Sequence, residues 1–396
     1  MNSFEYKKLA DLTFRIKVGF VGSINDFYCK PENGIPIIRT TDIDSIDFDK
    51  LNYVTNEFHV KNKKSQLKKG DLIIARHGEN GNAVIYEHER CAQVLNAVII
   101  EPDPKKMSSE LLKIFFDSPF IKKQISGSVK GSVQDVINTK HISDLLLNID
   151  NNINYDFVTK AITNFSRKIA LNNKINTELE AMAKLIYDYW FLQFDFPDTN
   201  GKPYKSSGGK MVYNEALKRE IPDGWNVGKL GDIIKLNYGK PLKKECRSGQ
   251  GFPVVGSGGI VGFHDIALVK GPGIVVGRKG TVGSITYLDN DFHPIDTSYF
   301  VGLKLKVSFS YISLLLKTLG LSTMNSDSAV PGLNRDRALD VNVLLAPINL
   351  IETFCVILDS MFIKMANCRR QNQKLSELRD WLLPMLMNGQ VTVKDV

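Results

Sequence analysis

Apolar residues recur between positions 158 and 190 in alternating steps of four and three. The series is Val158, Ile162, Phe165, Ile169, Leu179, Ala183, Ile186 and Trp190, with Asn172 and Asn176 filling the two gaps. Such an alternation is the seam of a two-stranded coiled coil, and it predicts one long helix over about residues 153–193. Asn154 offers an N-cap, and Phe196-Pro197 bars a longer continuation. The series returns 196 positions later as Phe354, Leu358, Met361, Met365, Cys368, Asn372, Leu375, Arg379, Leu382 and Leu386. Asn176 falls on Asn372, so both are candidates for fixing the register. Pro384 and Asn388-Gly389 are the predicted stop of the second helix.

The pattern before each helix is different. Ile35-Pro-Ile-Ile-Arg-Thr-Thr41, Asp71-Leu-Ile-Ile-Ala-Arg76, Ala83-Val-Ile-Tyr86 and Val94-Leu-Asn-Ala-Val-Ile-Ile100 are short β-type runs. Residues 110–125 fit a helix interrupted at Pro119. The second half restarts this plan. Lys229-Leu-Gly-Asp-Ile233 echoes Lys8-Leu-Ala-Asp-Leu12, and Ile274-Val-Val-Gly-Arg-Lys-Gly280 echoes Leu72-Ile-Ile-Ala-Arg-His-Gly78 at an offset of 202. Val133-Gln-Asp-Val136 aligns with Val330-Pro-Gly-Leu333 at 197. The chain therefore reads as a tandem duplication of a mixed, α+β globular domain followed by a long helix. The expected division is a first globular domain at 1–149, a helix at 150–196, an exposed linker at 197–220, a second globular domain at 221–346, and a second helix with tail at 347–396. Two such helices in one chain bury their seams most cheaply against each other. Antiparallel packing, with a pseudo-twofold internal repeat and a dumbbell shape, is the expectation.

Composition narrows the class. A 396-residue chain with 43% hydrophobic and 24% charged residues is ordinary for a globular protein. No run has the roughly 18 apolar residues of a membrane span, and the first residues lack the apolar core of a signal peptide. The five cysteines are scattered and never spaced CxxC, which points to a reducing, cytoplasmic setting. The net charge of +8 and a sequence pI near 9.0 suit a polyanionic partner. Lysines cluster at Lys61, Lys63, Lys64, Lys68 and Lys69, and again at Lys240, Lys243 and Lys244 with Arg247. Solvated loops would look the same. Lys61, Lys63, Lys64, Lys243 and Lys244 are candidate phosphate contacts.

A search for catalytic chemistry finds none. There is no phosphate loop and no Pro-Pro-aromatic methyltransferase turn, and the glycine-dense stretches lack a βαβ context. Pro197-Asp198 and Pro222-Asp223 are not followed by the Glu-x-Lys of a nuclease, and the six histidines show no metal-ligand spacing. What remains is a pair of basic turns, Arg76-His77-Gly78 with Asn80, and Arg278-Lys279-Gly280-Thr281, each closing a hydrophobic strand. Glycine lets the backbone approach a phosphate, and arginine reaches phosphate or the O6/N7 edge of guanine. A solvent-facing hairpin turn is the bland alternative for each, but recurrence with different flanking residues suits two readers of different sequences. Arg39-Thr40-Thr41, the matching Ser257-Gly258, and Asp296-Thr297 are further candidates.

With the helix-paired duplication, the segments Ile221-Pro-Asp-Gly-Trp225, Lys229-Leu-Gly-Asp232, Gly277-Arg-Lys-Gly-Thr-Val-Gly283, Ile186-Tyr-Asp-Tyr-Trp-Phe191 and Leu375 to Gly389 are together specific. On these features the chain resembles the specificity subunit of Type I restriction–modification systems over nearly its whole length. The Pro-rich turn that leads into each helix of that family is reduced here to Asn148-Ile-Asp-Asn151 and Ala346-Pro-Ile-Asn349. The resemblance implies two target-recognition domains on double-stranded DNA and an antiparallel coiled coil that sets the distance between two half-sites. It implies no catalysis by this chain. Two adenine methyltransferase subunits and ATP-driven restriction (translocase) subunits would be the partners, carrying S-adenosylmethionine, ATP and Mg; no membrane is involved. A helix of about 35 to 40 residues is roughly 50 to 60 Å long, or about 15 base pairs of duplex. Two other classes remain: a stand-alone DNA nuclease, and a coiled-coil scaffold joining two protein-binding domains.

Overall fold

The computed structural model describes residues 4–43, 46–76, 82–129, 137–150, 152–324 and 332–387. Two compact units partition the chain, residues 1–170 with 372–396, and residues 171–371. Both long helices cross from one unit to the other.

In the first unit, strand Phe4–Lys8 pairs antiparallel with Leu146–Asp150. A four-stranded antiparallel sheet follows in the order Thr13–Val18, Ala97–Pro102, Leu72–Ala75, Ala83–Ile85. A five-stranded sheet has Ile35–Arg39 parallel to Ala92–Leu95 near its centre. The continuous apolar run at 72–75 reflects burial on both faces. Leu72 and Ile74 enter the core under helix Ser109–Asp117, while Ile73 points into the core shared with the five-stranded sheet. The helix predicted at 110–125 is two helices, Ser109–Asp117 and Pro119–Val129, divided at the proline.

The second unit repeats the plan. Asn226–Lys229 pairs with Asn342–Leu345, and a four-stranded sheet runs Ile234–Tyr238, Ser298–Leu303, Gly273–Gly277, Ile285–Leu288. A three-stranded sheet has Phe252–Gly256 parallel to His293–Pro294. Ile274 and Val276 again face one core and Val275 the other. Even the caps recur. Ser108 and Ser308 each cap their helix by accepting the backbone N–H three residues on, and Asn138 and Asn334 cap the short helices Thr139–Ser143 and Arg335–Leu339. The repeat offset near the second pair is 196 rather than 197. Ile137 N–H donates to the Arg76 carbonyl as Leu333 N–H donates to the Arg278 carbonyl, so Leu333 answers to Ile137. Residues 133–136 and 330–331 lie outside the described residues.

The first long helix is Tyr155–Tyr187, continued by one π-helical turn, Asp188–Leu192. Asn154 Oδ1 accepts the Phe157 N–H at 3.1 Å, which makes it the N-cap. The second is Ile348–Met387. Within the second unit the two run antiparallel. Ala183, Tyr187 and Trp190 pack with Phe354, Cys355 and Leu358, whereas Asn172 Nδ2, near the other end, donates to Gln371 Oε1 at 3.2 Å. In the first unit Val158 and Ile162 share a core with Leu383. None of the seam positions between 158 and 190 is exposed. The fully buried asparagine of the seam is Asn172, at 1% exposure; Asn176 and Asn372 are only half-buried.

One expectation needs correction. Pro384 does not end the second helix, which continues to Met387. Its missing N–H costs one intrahelical bond, but its ring sits on the exposed side while Leu383 holds the inner face in the core. Asn388-Gly389 lie outside the described residues. The segment read as an exposed linker, 197–220, is mostly exposed and carries local structure of its own. Tyr204 stacks on Phe196 with ring centroids 4.7 Å apart, and Met211–Asn214 forms a hairpin with Arg219–Pro222.

Candidate nucleic-acid interface

At one end of the four-stranded sheet of the second unit, three sequence-distant turns meet. Strand Gly273–Gly277 is buried along its length, and Arg278 is the first residue to emerge. The turn that follows closes through Gly277 N–H to Ser284 O, 2.9 Å, and Gly283 N–H to Gly277 O, 2.8 Å. Glycine is required there: Gly280 has φ +80°, and a Cβ on Gly277 would collide with the Thr281 carbonyl and the Ser284 hydroxyl. The Arg278 and Lys279 N–H groups both donate to the Thr297 carbonyl at 3.0 Å, which ties Asp296-Thr297 to this turn. The hairpin turn at Ser257-Gly258 joins from the adjacent sheet. The Ser284 hydroxyl donates to the Ser257 carbonyl, and a Cβ on Gly258 would stand 3.6 Å from Thr281 Oγ1. Ser257, Gly258, Arg278, Lys279, Gly280, Thr281, Asp296 and Thr297 therefore share one surface. Lys279, Gly280, Thr281 and Asp296 are exposed on it.

The Arg278 side chain lies over two tyrosines, its Cζ 4.9 Å from the Tyr238 ring centre and 5.8 Å from that of Tyr299, with Nη1 donating to the Asp296 carbonyl at 3.3 Å. Arg335 Cζ is 5.5 Å from the same Tyr238 ring. The Tyr299 hydroxyl donates to the Leu333 carbonyl at 3.0 Å. Burial, then the neighbouring Tyr238, pushes that hydroxyl above its ordinary pKa, so it stays protonated at neutral pH. Sequence reasoning missed Tyr238, Tyr299 and Arg335. The available signal was Tyr238-Gly239 at the end of a strand, directly before the basic stretch at Lys240–Arg247.

The first unit engages its described candidates differently. Arg39 grips Asp42 through Nε at 3.0 Å and Nη2 at 3.3 Å. Burial would raise the Asp42 carboxyl, but the hydrogen bonds from Arg39 outweigh it and hold the group below its ordinary pKa. Thr40 Oγ1 donates to the Asn96 carbonyl and Thr41 Oγ1 to Asp42. Arg76 Nε donates to the Ile137 carbonyl at 3.1 Å. His77, Gly78 and Asn80 lie outside the described residues.

Lys61, Lys63 and Lys64 are exposed and have no ion-pair partner among the described residues. Their turn is pinned by Ser65 Oγ to Gln93 Oε1 at 2.5 Å and by Gln66 Nε2 to the His59 carbonyl at 2.8 Å. Lys68 and Lys69, by contrast, are paired with Glu101 and Glu89. Lys243 and Lys244 are exposed and likewise without an ion pair among the described residues, whereas Arg247 braces its loop by donating to the Val261 and Leu242 carbonyls. Among the described residues no group of three or more His, Cys, Asp or Glu side chains is placed to hold a metal, and no helix is long and apolar enough to cross a membrane.

Comparison with known proteins agrees with this geometry. The family model of the Type I restriction modification DNA specificity domain matches residues 222–345, the span that carries the second set of turns. The chain is 25% identical over 268 residues to the specificity subunit of the Type I restriction enzyme MjaIX of Methanocaldococcus jannaschii, a match covering 60% of this chain and 59% of that relative. It is 22% identical over 407 aligned positions to the HindI specificity subunit of Haemophilus influenzae, covering 83% of this chain and 88% of that one. In fold it is similar to the crystal structure of a Type I restriction-modification S subunit from M. genitalium, with a TM-score of 0.60 at 17% identity, over 97% of this chain and 96% of that chain. The duplicated sheet plan, the long helices and these matches together make the chain similar to Type I restriction–modification specificity subunits along most of its length.

Proposed function

We propose that this chain reads a bipartite sequence in duplex DNA, one half-site per globular domain, and presents that DNA to partner subunits that do the chemistry. The observation that carries the reading is the convergence of Ser257-Gly258, Arg278 to Thr281 and Asp296-Thr297 on one surface. Such a surface combines cations, small hydroxyls and backbone without side chains. Those are the groups that position on phosphate and read base edges. Repetition of the same sheet plan in the first half supports a second, separately specified reader. The exposed Lys61, Lys63, Lys64, Lys243 and Lys244 would contact phosphates, and the paired helices would set the spacing between half-sites. Adenine methyltransferase and restriction subunits would supply S-adenosylmethionine, ATP and Mg chemistry, including extrusion of the target adenine from the duplex.

The test is selection from a randomised duplex library by the full chain co-purified with its methyltransferase partner. The expected product is two short motifs separated by a fixed, unspecified gap. One continuous motif, or no enrichment, would contradict the reading. Metal-dependent cleavage by the chain alone would favour the nuclease alternative instead.

A further inference from the structure

Four residues that are far apart in sequence form one stack beside the second set of turns: Tyr238, Arg278, Tyr299 and Arg335. Tyr238 ends its strand opposite Tyr299, and the two rings meet edge to face with centroids 5.1 Å apart. Tyr238 is 49% exposed, yet two guanidinium groups lie against its ring, those of Arg278 and Arg335. The only ion pair that either makes among the described residues is Arg335 Nε with Asp336, 3.2 Å apart, and both members of that pair are exposed. Arg278 has no carboxylate partner among the described residues; its side chain donates to a carbonyl instead. Lys279, which is exposed, adds a third cation. Like charges gathered at one ring with so little compensation repel one another until an anion arrives. A guanidinium held on an aromatic face keeps its rigid fork of N–H donors ready for bidentate contact, with less freedom to lose on binding.

We propose that Tyr238 is a positioning residue that orients Arg278 toward a base edge of the second half-site, and that Arg335, on the same ring, is the cation that contacts a DNA phosphate. The assignment rests on the DNA-reading function above. Tyr238 acts through its ring, since what faces the two arginines is the aromatic surface. Arg335 extends the surface past the turn residues and anchors the duplex beside the position that Arg278 reads.

The experiment uses the full chain co-purified with its methyltransferase partner and duplexes that vary one base pair at a time in each half-site, across a range of salt. Tyr238→Leu, which keeps apolar bulk without an aromatic face, is expected to lower discrimination at one position of the second half-site on the order of tenfold, the scale of a lost bidentate base contact. The first half-site stays as in the wild type, and Tyr238→Phe retains discrimination at both. Tyr238→Leu combined with Arg278→Ala is no worse than Arg278→Ala alone, because the tyrosine works through the arginine. Arg335→Ala weakens all sequences alike and lowers the salt slope by about one. Wild-type discrimination in Tyr238→Leu, or a double variant clearly worse than Arg278→Ala, overturns the positioning role. An unchanged salt slope in Arg335→Ala overturns the phosphate contact. A wild-type complex without any base preference would remove the DNA-reading function itself, and this assignment with it.

Discussion

Arg76 and Arg278 occupy the same place in the two halves of the chain, and they do different things. Each follows a buried strand, and each offers its carbonyl to a backbone N–H, from Ile137 in one half and Leu333 in the other. In the first half Arg76 turns back and donates to the Ile137 carbonyl. In the second half the equivalent carbonyl, on Leu333, is already taken by the Tyr299 hydroxyl, and Arg278 lies over two tyrosine rings instead. Val18 and Val98, a facing pair, stand where Tyr238 and Tyr299 face each other. What an exposed cation can do therefore depends on which neighbour satisfies the adjacent backbone. The scaffold is shared, and the choice of two strand-end side chains decides whether its arginine braces the turn or is presented outward.

The ion network of the first half makes the same point. Arg15 bridges Asp71 and Glu101 within that sheet, whereas the repeat has Lys235, Gly273 and Gly302 at the corresponding sites. The two sheets share a topology while relying on different interactions.

Five variants would break or sharpen the comparison. The largest effect is expected from Phe354→Ala, which removes a ring packed on Tyr187, Trp190, Phe191 and Tyr311. Denaturant unfolding should show a loss of about 3–5 kcal/mol in the transition of the second unit, and an unchanged midpoint would mean that the aromatic cluster does not hold the helix pair there. Next is Arg278→Ala against Arg76→Ala. The first should cost about 1–3 kcal/mol of discrimination at one half-site with little change in unfolding. The second should appear mainly as about 1 kcal/mol of lost stability. Identical behaviour of the two variants in both assays would erase the difference between Arg76 and Arg278. Tyr299→Phe makes the second half more like the first. It leaves the Leu333 carbonyl open, costs about 1 kcal/mol by thermal unfolding, and lets Arg278 turn inward, so base preference at that half-site should fall as well. Full retention of base preference would show that Arg278 is held by something other than the tyrosines. The smallest effect on base preference should come from replacing Lys61, Lys63 and Lys64 together by Gln. The salt dependence of binding should become shallower, by up to about 0.9 for each lysine that had been on a phosphate. An unchanged slope removes that turn from the interface.

The helices and the repeat were legible because their signal is local and periodic. A seam from Val158 to Trp190 can be read in steps of three and four, and its copy from Phe354 onward needs only an offset. The strands at 72–75 and 274–277 stood out because burial on both faces makes them apolar throughout. The meeting of Ser257, Arg278 and Asp296 was not legible. It depends on the parallel pairing of Phe252–Gly256 with His293–Pro294, which no local pattern encodes. Arg335 joins Tyr238 across 97 positions for the same reason. Arg39 carried a readable warning, because Asp42 stands three residues on, yet its closure into an ion pair needed the turn geometry. Pro384 misled because a proline near a helix end reads as a stop, and only the exposure of its ring explains why the helix passes through it.

The central claim is that the two halves read separate half-sites through independently specified tips. It is tested most directly by expressing the chain with its methyltransferase partner in cells that lack adenine methylation and mapping every methylated adenine in the genome, for the wild type and for Arg278→Ala. The account predicts a two-part motif with a fixed gap for the wild type, and for the variant the same motif with one part relaxed and the other intact. Relaxation of both parts together, or a wild-type map without a two-part motif, would contradict it.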